Sequence, residues 1–222
     1  MRTLALSCSP RRGGNSHRLA EAAVAGARAA GHSVEHLHLA DFVDELLDDC
    51  RRCRRADGHC SLADGYQRLL LEHVLPADGL LIATPLHFYG MPGRLKTFFD
   101  RLFCHTSSRS PIADVVNAGI LGKRVGLLIS CEESYRGATL GLELQFQELT
   151  RYLRHDLVGV VVGIANSRGE VVDDPARPLD AAYDLGHRLP SIRVTDYRLD
   201  TDRPNRVWEA PVGQPLDTPA TT

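Results

Sequence analysis

The sequence predicts an α/β protein, with one parallel sheet covered by helices on both faces. Two observations carry this. Short apolar runs of strand length alternate with longer runs of helical period, five times over. Runs such as 77–84 and 157–165 are nearly continuous in apolar residues, as strands buried on both faces require.

Taken in order, residues 4–8 read as the first strand and the Ala-rich run 17–30 as a helix stopped by Gly31. Residues 33–39 alternate and read as the second strand. The acidic stretch 41–49 reads as a helical turn, and 50–60 as a polar loop rich in Arg and Cys. Residues 61–75 place Leu62, Tyr66, Leu69, Leu70 and Val74 at helical spacing. Pro76 and Pro85 bound the third strand, 77–84. Residues 91–103 read as a helix with Leu95, Phe98, Phe99 and Leu102 on one face. Residues 104–120 show no clear period, and Ser107, Ser108, Ser110 and Pro111 predict a long loop. Then come strand 123–130, helix 137–155, strand 157–165 and helix 176–189. Beyond Pro190 the chain is rich in Pro, Asp, Arg and Thr. The expected organisation is thus a domain over 1–190 and an extension over 191–222. Five strands in this alternation suit the flavodoxin-like three-layer sandwich, a five-stranded parallel sheet of strand order 2-1-3-4-5.

The 222 residues suffice for a sizeable core, and the net charge of −2 gives no reason to expect nucleic acid or a membrane surface as partner. The apolar segment before Cys8 is too short for a signal sequence, so a cytoplasmic protein is expected. Six cysteines in such a chain read as thiols, not as a disulfide framework.

In such sheets ligands bind beyond the carboxyl ends of the strands, at the point where strand order reverses. Three loops are expected there. The first, Ser9-Pro10-Arg11-Arg12-Gly13-Gly14-Asn15-Ser16, joins a strand to a helix N-terminus. Its free N–H groups, hydroxyls and Arg11 suit a phosphate, although a plain turn with Asn15 or Ser16 as N-cap uses the same residues. It matches neither the dinucleotide fingerprint nor the P-loop. The second, Thr84-Pro85-Leu86-His87-Phe88-Tyr89-Gly90-Met91-Pro92, offers Phe88 or Tyr89 as a flat face and backbone donors around His87 to Gly90. The third begins Ser130-Cys131-Glu132; Cys131 reads as a small buried residue and the glutamates as solvent- or substrate-facing.

With these loops and the amphipathic segment Leu95-Lys96-Thr97-Phe98-Phe99-Asp100-Arg101, the chain resembles the NAD(P)H-dependent FMN reductase family, including its iron–sulfur flavoprotein branch. The resemblance covers roughly residues 1–190. It implies that Ser9, Arg11, Gly14, Asn15 and Ser16 hold the FMN phosphate. It also implies that Pro85, Leu86, His87, Phe88, Tyr89, Gly90, Ser130, Cys131 and Glu132 line the flavin ring. His87 and Tyr89 are the candidates for a proton donor. NADPH or NADH is the expected co-substrate, a small molecule such as a quinone the acceptor, and a homodimer or homotetramer the assembly. An iron–sulfur flavoprotein, and an electron carrier that holds FMN without reacting with NAD(P)H, are the alternatives.

The cysteines depart from the iron–sulfur pattern. Cys50, Cys53 and Cys60 supply three thiolates where a [4Fe–4S] cluster ordinarily takes four. With His59 they could form a zinc site, but the expectation is no metal. Cys104 is expected on the far side of the third strand, able to reach this loop only from a partner chain.

Overall fold

The computed structural model describes residues 1–47, 49, 52, 54–166 and 169–194. Within them, β1 (Arg2–Ser7), β2 (Ser33–His38), β3 (Gly79–Pro85), β4 (Arg124–Cys131) and β5 (Asp156–Ile164) form one sheet. All neighbours are parallel and the order is β2-β1-β3-β4-β5, as the alternation predicts. The helices are α1 (Asn15–Ala29), α2 (Tyr66–Arg68), α3 (Gly93–Thr106), α4 (Ala113–Ile120), α5 (Leu140–Tyr152) and α6 (Pro178–Arg188).

Successive strand residues point to opposite faces, so the sheet builds two cores. Leu4, Leu6, Ile82, Leu127 and Ile129 join the core that includes side chains of α3, α4 and α5. Ala5, Leu81, Ala83 and Leu128 join the core under α1 and α6. Small residues dominate the second face, and α1 and α6 come together at Gly26 and Gly186. A methyl on Gly26 would run into the Tyr183 carbonyl, and one on Gly186 into the Ala23 carbonyl.

Several boundaries differ from the sequence reading. The stretch 104–120 is not a loop: α3 continues to Thr106, and α4 follows after a short turn. Ala113, Val116 and Ile120 are the buried positions of α4, a helical spacing hidden by the serines and Pro111 before it. The expected helix over 61–75 begins only at Tyr66 and is wound as a π-helix over Leu69–Val74. Among the described residues, the acidic stretch 41–49 contributes only the end of a 3₁₀ helix, Leu39–Asp41. Cys104 needs no partner chain to meet the cysteine loop. Arg54, beside Cys53 in sequence, donates to the Cys104 carbonyl at 2.6 Å within the same chain. Of the extension, Ile192 and Val194 pack against the α1–α6 core; residues 195–222 lie outside the described ones. No helix among the described residues is long and apolar enough to cross a membrane.

Two buried imidazoles, His105 and His155, and the half-buried His36 are desolvated. Burial lowers His36, His105 and His155 to about 4 each; neighbouring charges add to it at His36 and His105, while the bond to the Ile120 carbonyl opposes it at His155. Their folded values lie below that of the unfolded chain, so the stability they carry is present above pH 6.5 and is lost as pH falls toward 4. Denaturant titrations should therefore show stability falling steeply across this window. His155 Nε2 meets the Ile120 carbonyl at 2.6 Å, a bond that a glutamine amide can replace. His155→Gln should flatten the fall by up to about 1.4 kcal/mol per pH unit, one proton's worth.

The helix crossing gives a second expectation. Gly26→Ala gains about 1 kcal/mol of helix propensity but forces two backbones apart. A net destabilisation of about 1–3 kcal/mol is expected in urea titrations, with Gly186→Ala similar. A stabilised Gly26→Ala variant would show that the crossing is looser than described.

Candidate functional site

The carboxyl ends of β1, β3 and β4 lie side by side, and one residue joins the loops that leave them. Ser130, near the end of β4, shares a 2.7 Å hydroxyl–hydroxyl bond with Ser16 of α1. The Ser130 carbonyl accepts the Leu86 N–H from the second loop at 2.9 Å. Cys8 N–H donates to the Ala83 carbonyl at 2.7 Å, which fixes the start of the first loop against β3.

In the first loop Gly13 sits at φ +70°, a left-handed conformation that suits glycine. Gly14 is the N-cap of α1 and has no side chain to satisfy the first-turn N–H groups. The buried Ser9 hydroxyl accepts the Arg11 N–H at 3.2 Å, and its own proton remains to donate. Arg11 is exposed and reaches across to Asn166 Oδ1 at 3.3 Å. Asn15 Oδ1 accepts the Val171 N–H at 3.0 Å, which leaves its amide NH₂ as the donor. Ser16 is buried and its hydroxyl is engaged with Ser130, so its backbone N–H is the group placed for a ligand. A phosphate fits this donor set: uncapped helix N–H groups, a hydroxyl, an amide and a guanidinium on one strand-to-helix turn.

The second loop ends in a tight turn. His87 and Gly90 exchange backbone hydrogen bonds at 3.1 and 3.0 Å. The residues between them, Phe88 and Tyr89, sit at φ 45° and 63°. Such turns favour Asn-Gly, and two bulky side chains held left-handed cost about 1–3 kcal/mol each. The Phe88 ring is fully exposed at the tip, while Pro85 and Leu86 are half-buried. In the third loop Cys131 is buried, and burial, then the charges of Glu133 and Asp174, pushes its thiol up to about 11. It is protonated at neutral pH and is no nucleophile. Glu132 is exposed. Tyr135 hydrogen-bonds Tyr89, which raises the Tyr135 phenol and links the second and third loops.

Two parts of this region are absent from the sequence reading. One is a fourth loop, after β5, which supplies Asn166 and Val171 to the first. Its signal was the turn-forming Asn166-x-x-Gly169 directly after an apolar run. The other is the brace that holds residues 43–45. Asp64 and Arg101, 4% and 2% exposed, form a bidentate pair at 2.5 and 2.8 Å. Asp64 Oδ2 also accepts the N–H groups of Asp44 and Glu45, at 3.0 and 3.1 Å. Arg101 lies over the Tyr66 ring at 4.4 Å. Burial would raise the Asp64 carboxyl, but Arg101 and the N–H groups of Glu45, Asp44 and Tyr66 outweigh it and hold it at about 2. Among the described residues no group of His, Cys, Asp and Glu is arranged to hold a metal ion; Cys50 and Cys53 lie outside them.

Residues 1–179 match the family model Flavodoxin_2, described as a flavodoxin-like fold, and the chain belongs to this family. It is 27% identical over 192 residues to a putative NAD(P)H-dependent FMN-containing oxidoreductase, YwqN, of Bacillus subtilis. That match covers 86% of this chain and all of the relative. An iron–sulfur flavoprotein of Archaeoglobus fulgidus is 24% identical over 209 residues, covering 90% of this chain and 84% of that one. Among solved structures, the Trp repressor binding protein of B. subtilis superposes with a TM-score of 0.62. It is 24% identical and covers 86% of this chain and 99% of its own. RosB, solved with 8-demethyl-8-formylriboflavin-5′-phosphate bound, superposes at 0.61 with 18% identity, over 100% and 94% of the two chains. These superpositions establish the shared fold.

The Asp64–Arg101 brace makes its own prediction. Asp64→Asn leaves a buried guanidinium without its counter-charge and should cost about 3–5 kcal/mol in denaturant titrations at neutral pH. The wild-type contribution is present above pH 3.8 and should fade as pH falls toward 2. A variant within about 0.5 kcal/mol of wild type would show that the pair does not hold the segment.

Proposed function

We propose, with membership of the flavodoxin-like family as premise, that this chain is an FMN-dependent oxidoreductase. It takes hydride from NAD(P)H and passes the electrons to a small acceptor such as a quinone. The observation that carries the reading is the junction at Ser130, which brings a phosphate-suited turn and an exposed aromatic turn to one place at the strand-order switch point. The sequence relative named as an NAD(P)H-dependent FMN-containing oxidoreductase, matched over its whole length, supports it.

When bound, FMN supplies two-electron acceptance from NAD(P)H and delivery to the acceptor. The chain's residues bind and orient. Ser9, Arg11, the Asn15 amide and the first-turn N–H groups of α1 would hold the phosphate, with Gly14 leaving that helix end open. Pro85, Leu86, Phe88, Tyr89 and the backbone from His87 to Gly90 would flank the ring, with Ser130, Cys131 and Glu132 at its other edge. The Phe88–Tyr89 turn presents exposed aromatic side chains at the loop tip. His87, whose ring is exposed, and Tyr89 would be the candidates to deliver a proton.

The relatives named iron–sulfur flavoproteins favour a second reading, in which the cysteine segment carries a metal. The segment supplies three cysteines where a cluster takes four. Analysis for iron, sulfide and zinc on anaerobically purified protein separates the two readings. No stoichiometric metal is expected.

The purified protein should be yellow, and its heat-released flavin should run as FMN. NADPH or NADH should bleach the flavin band without oxygen, and a quinone should restore it. Arg11→Ala should weaken FMN by about 1–3 kcal/mol, as loss of a charged hydrogen bond does. Bleaching by dithionite but by neither nucleotide would make the chain an electron carrier. A colourless chain that takes up no FMN would end the reading altogether.

A further inference from the structure

A cleft of about 290 Å³ opens beside the strand-end loops. Pro10 of the first loop and His87 of the second form one side, and Val43, Asp44, Glu45 and Leu46 form the other. The second side has no regular secondary structure, yet it is not free to move. Asp64 takes the N–H groups of Asp44 and Glu45, Arg101 donates to the Glu45 carbonyl at 3.1 Å, and Arg94 Nε donates to the Val43 carbonyl at 2.6 Å. Charged side chains thus fix three successive residues of an irregular segment. A rigid, irregular wall facing a cleft is how folds position specificity residues. Leu46 follows directly on this held backbone, and its side chain is 69% exposed at the cleft. Rim charge then decides what fits. Arg94 lies 3.4 Å from Asp44 and offsets it, whereas the exposed Glu45 carboxylate makes no ion pair with a described residue. The lining is therefore mixed, with Pro10, Val43, Leu46 and Pro92 apolar, His87 and Thr97 polar, and Glu45 as the carboxylate that no described residue pairs.

We propose that this cleft is the acceptor subsite, and that it selects uncharged ring-shaped acceptors over anionic ones, with Leu46 as the contact and Glu45 as the discriminating charge. The proposal rests on the oxidoreductase reading above. A quinone bound here leaves as the hydroquinone, having gained two electrons and two protons. The hydride of NAD(P)H supplies both electrons and one proton, and water supplies the other.

The test uses a matched pair of acceptors, 1,2-naphthoquinone and its 4-sulfonate, with the flavin-loaded protein at low salt. Wild type should favour the neutral quinone at least about tenfold in kcat/KM, and the ratio should shrink as salt screens Glu45. Glu45→Lys should bring the ratio near one by raising the sulfonate's value, with the neutral quinone changed less than about twofold. Leu46→Ser should raise KM for the neutral quinone several-fold at similar kcat, with FMN affinity and the rate of bleaching by NAD(P)H unchanged. Calorimetry with the unreactive pair 2-naphthol and 2-naphthol-6-sulfonate should show the same discrimination as dissociation constants. Equal affinity for the two naphthols, unmoved by Glu45→Lys, would overturn the proposal. So would a Leu46→Ser variant that loosens FMN instead of naphthol, since the cleft would then belong to the flavin. Should the protein take up no flavin at all, the oxidoreductase reading fails separately, and the naphthol pair titrated into the flavin-free chain still decides the cleft.

Discussion

The buried pair between Asp64 and Arg101 is the constraint on which the least regular stretch of the domain depends. Between β2 and the helical stretch that starts at Tyr66, the described chain makes one 3₁₀ turn and one isolated bridge, so sheet hydrogen bonds cannot hold it. The pair substitutes for them. It anchors Asp64 to α3, draws in the backbone of residues 44 and 45, and seats Arg101 on Tyr66, whose hydroxyl bonds the Phe98 carbonyl at 2.8 Å. A buried ion pair is weak as a source of net stability, because both charges lose their water. Its value here is conformational: few other geometries would leave the two charges paired.

The opposite wall of the site has the reverse character. The loops after β1, β3 and β4 are tied by short neutral hydrogen bonds through Ser130, and their shape comes from strand ends that the sheet already fixes. The site therefore joins a rigid sheet edge, suited to holding a cofactor, to a braced irregular segment, suited to choosing what meets it.

The sheet was legible in the sequence because strand and helix periods differ and the apolar runs are long, and five strands in that alternation suit the order observed. Ser130 and Cys131 were placed at a strand end by the same pattern, and Cys131 is the buried, protonated thiol expected of it. What escaped were features set by partners distant in sequence. Nothing around Asp64 says that its counter-ion lies in the middle of α3. The apolar spacing of α4 is only three residues deep and is masked by a serine-rich approach. The π-winding of Leu69–Val74 keeps a helical apolar pattern while shifting its hydrogen bonds, so periodicity cannot reveal it. The left-handed Phe88–Tyr89 turn contradicts local preference, as functional turns often do. Asn15 and Ser16 were read as ligand groups, and their side-chain oxygens prove to have intramolecular partners as well.

The Gly26–Gly186 contact has a consequence for how the chain is made. Helix α1 leaves the ribosome well before α6, the last described helix, which is its closest helical neighbour. Until α6 emerges, the small-residue face of α1 and the sheet beneath it has no cover, so the nascent domain must wait with that surface open. Folding of this domain is then gated by the arrival of α6. A chain cut short before residue 178 would expose the same face permanently, a substrate for chaperones or for aggregation.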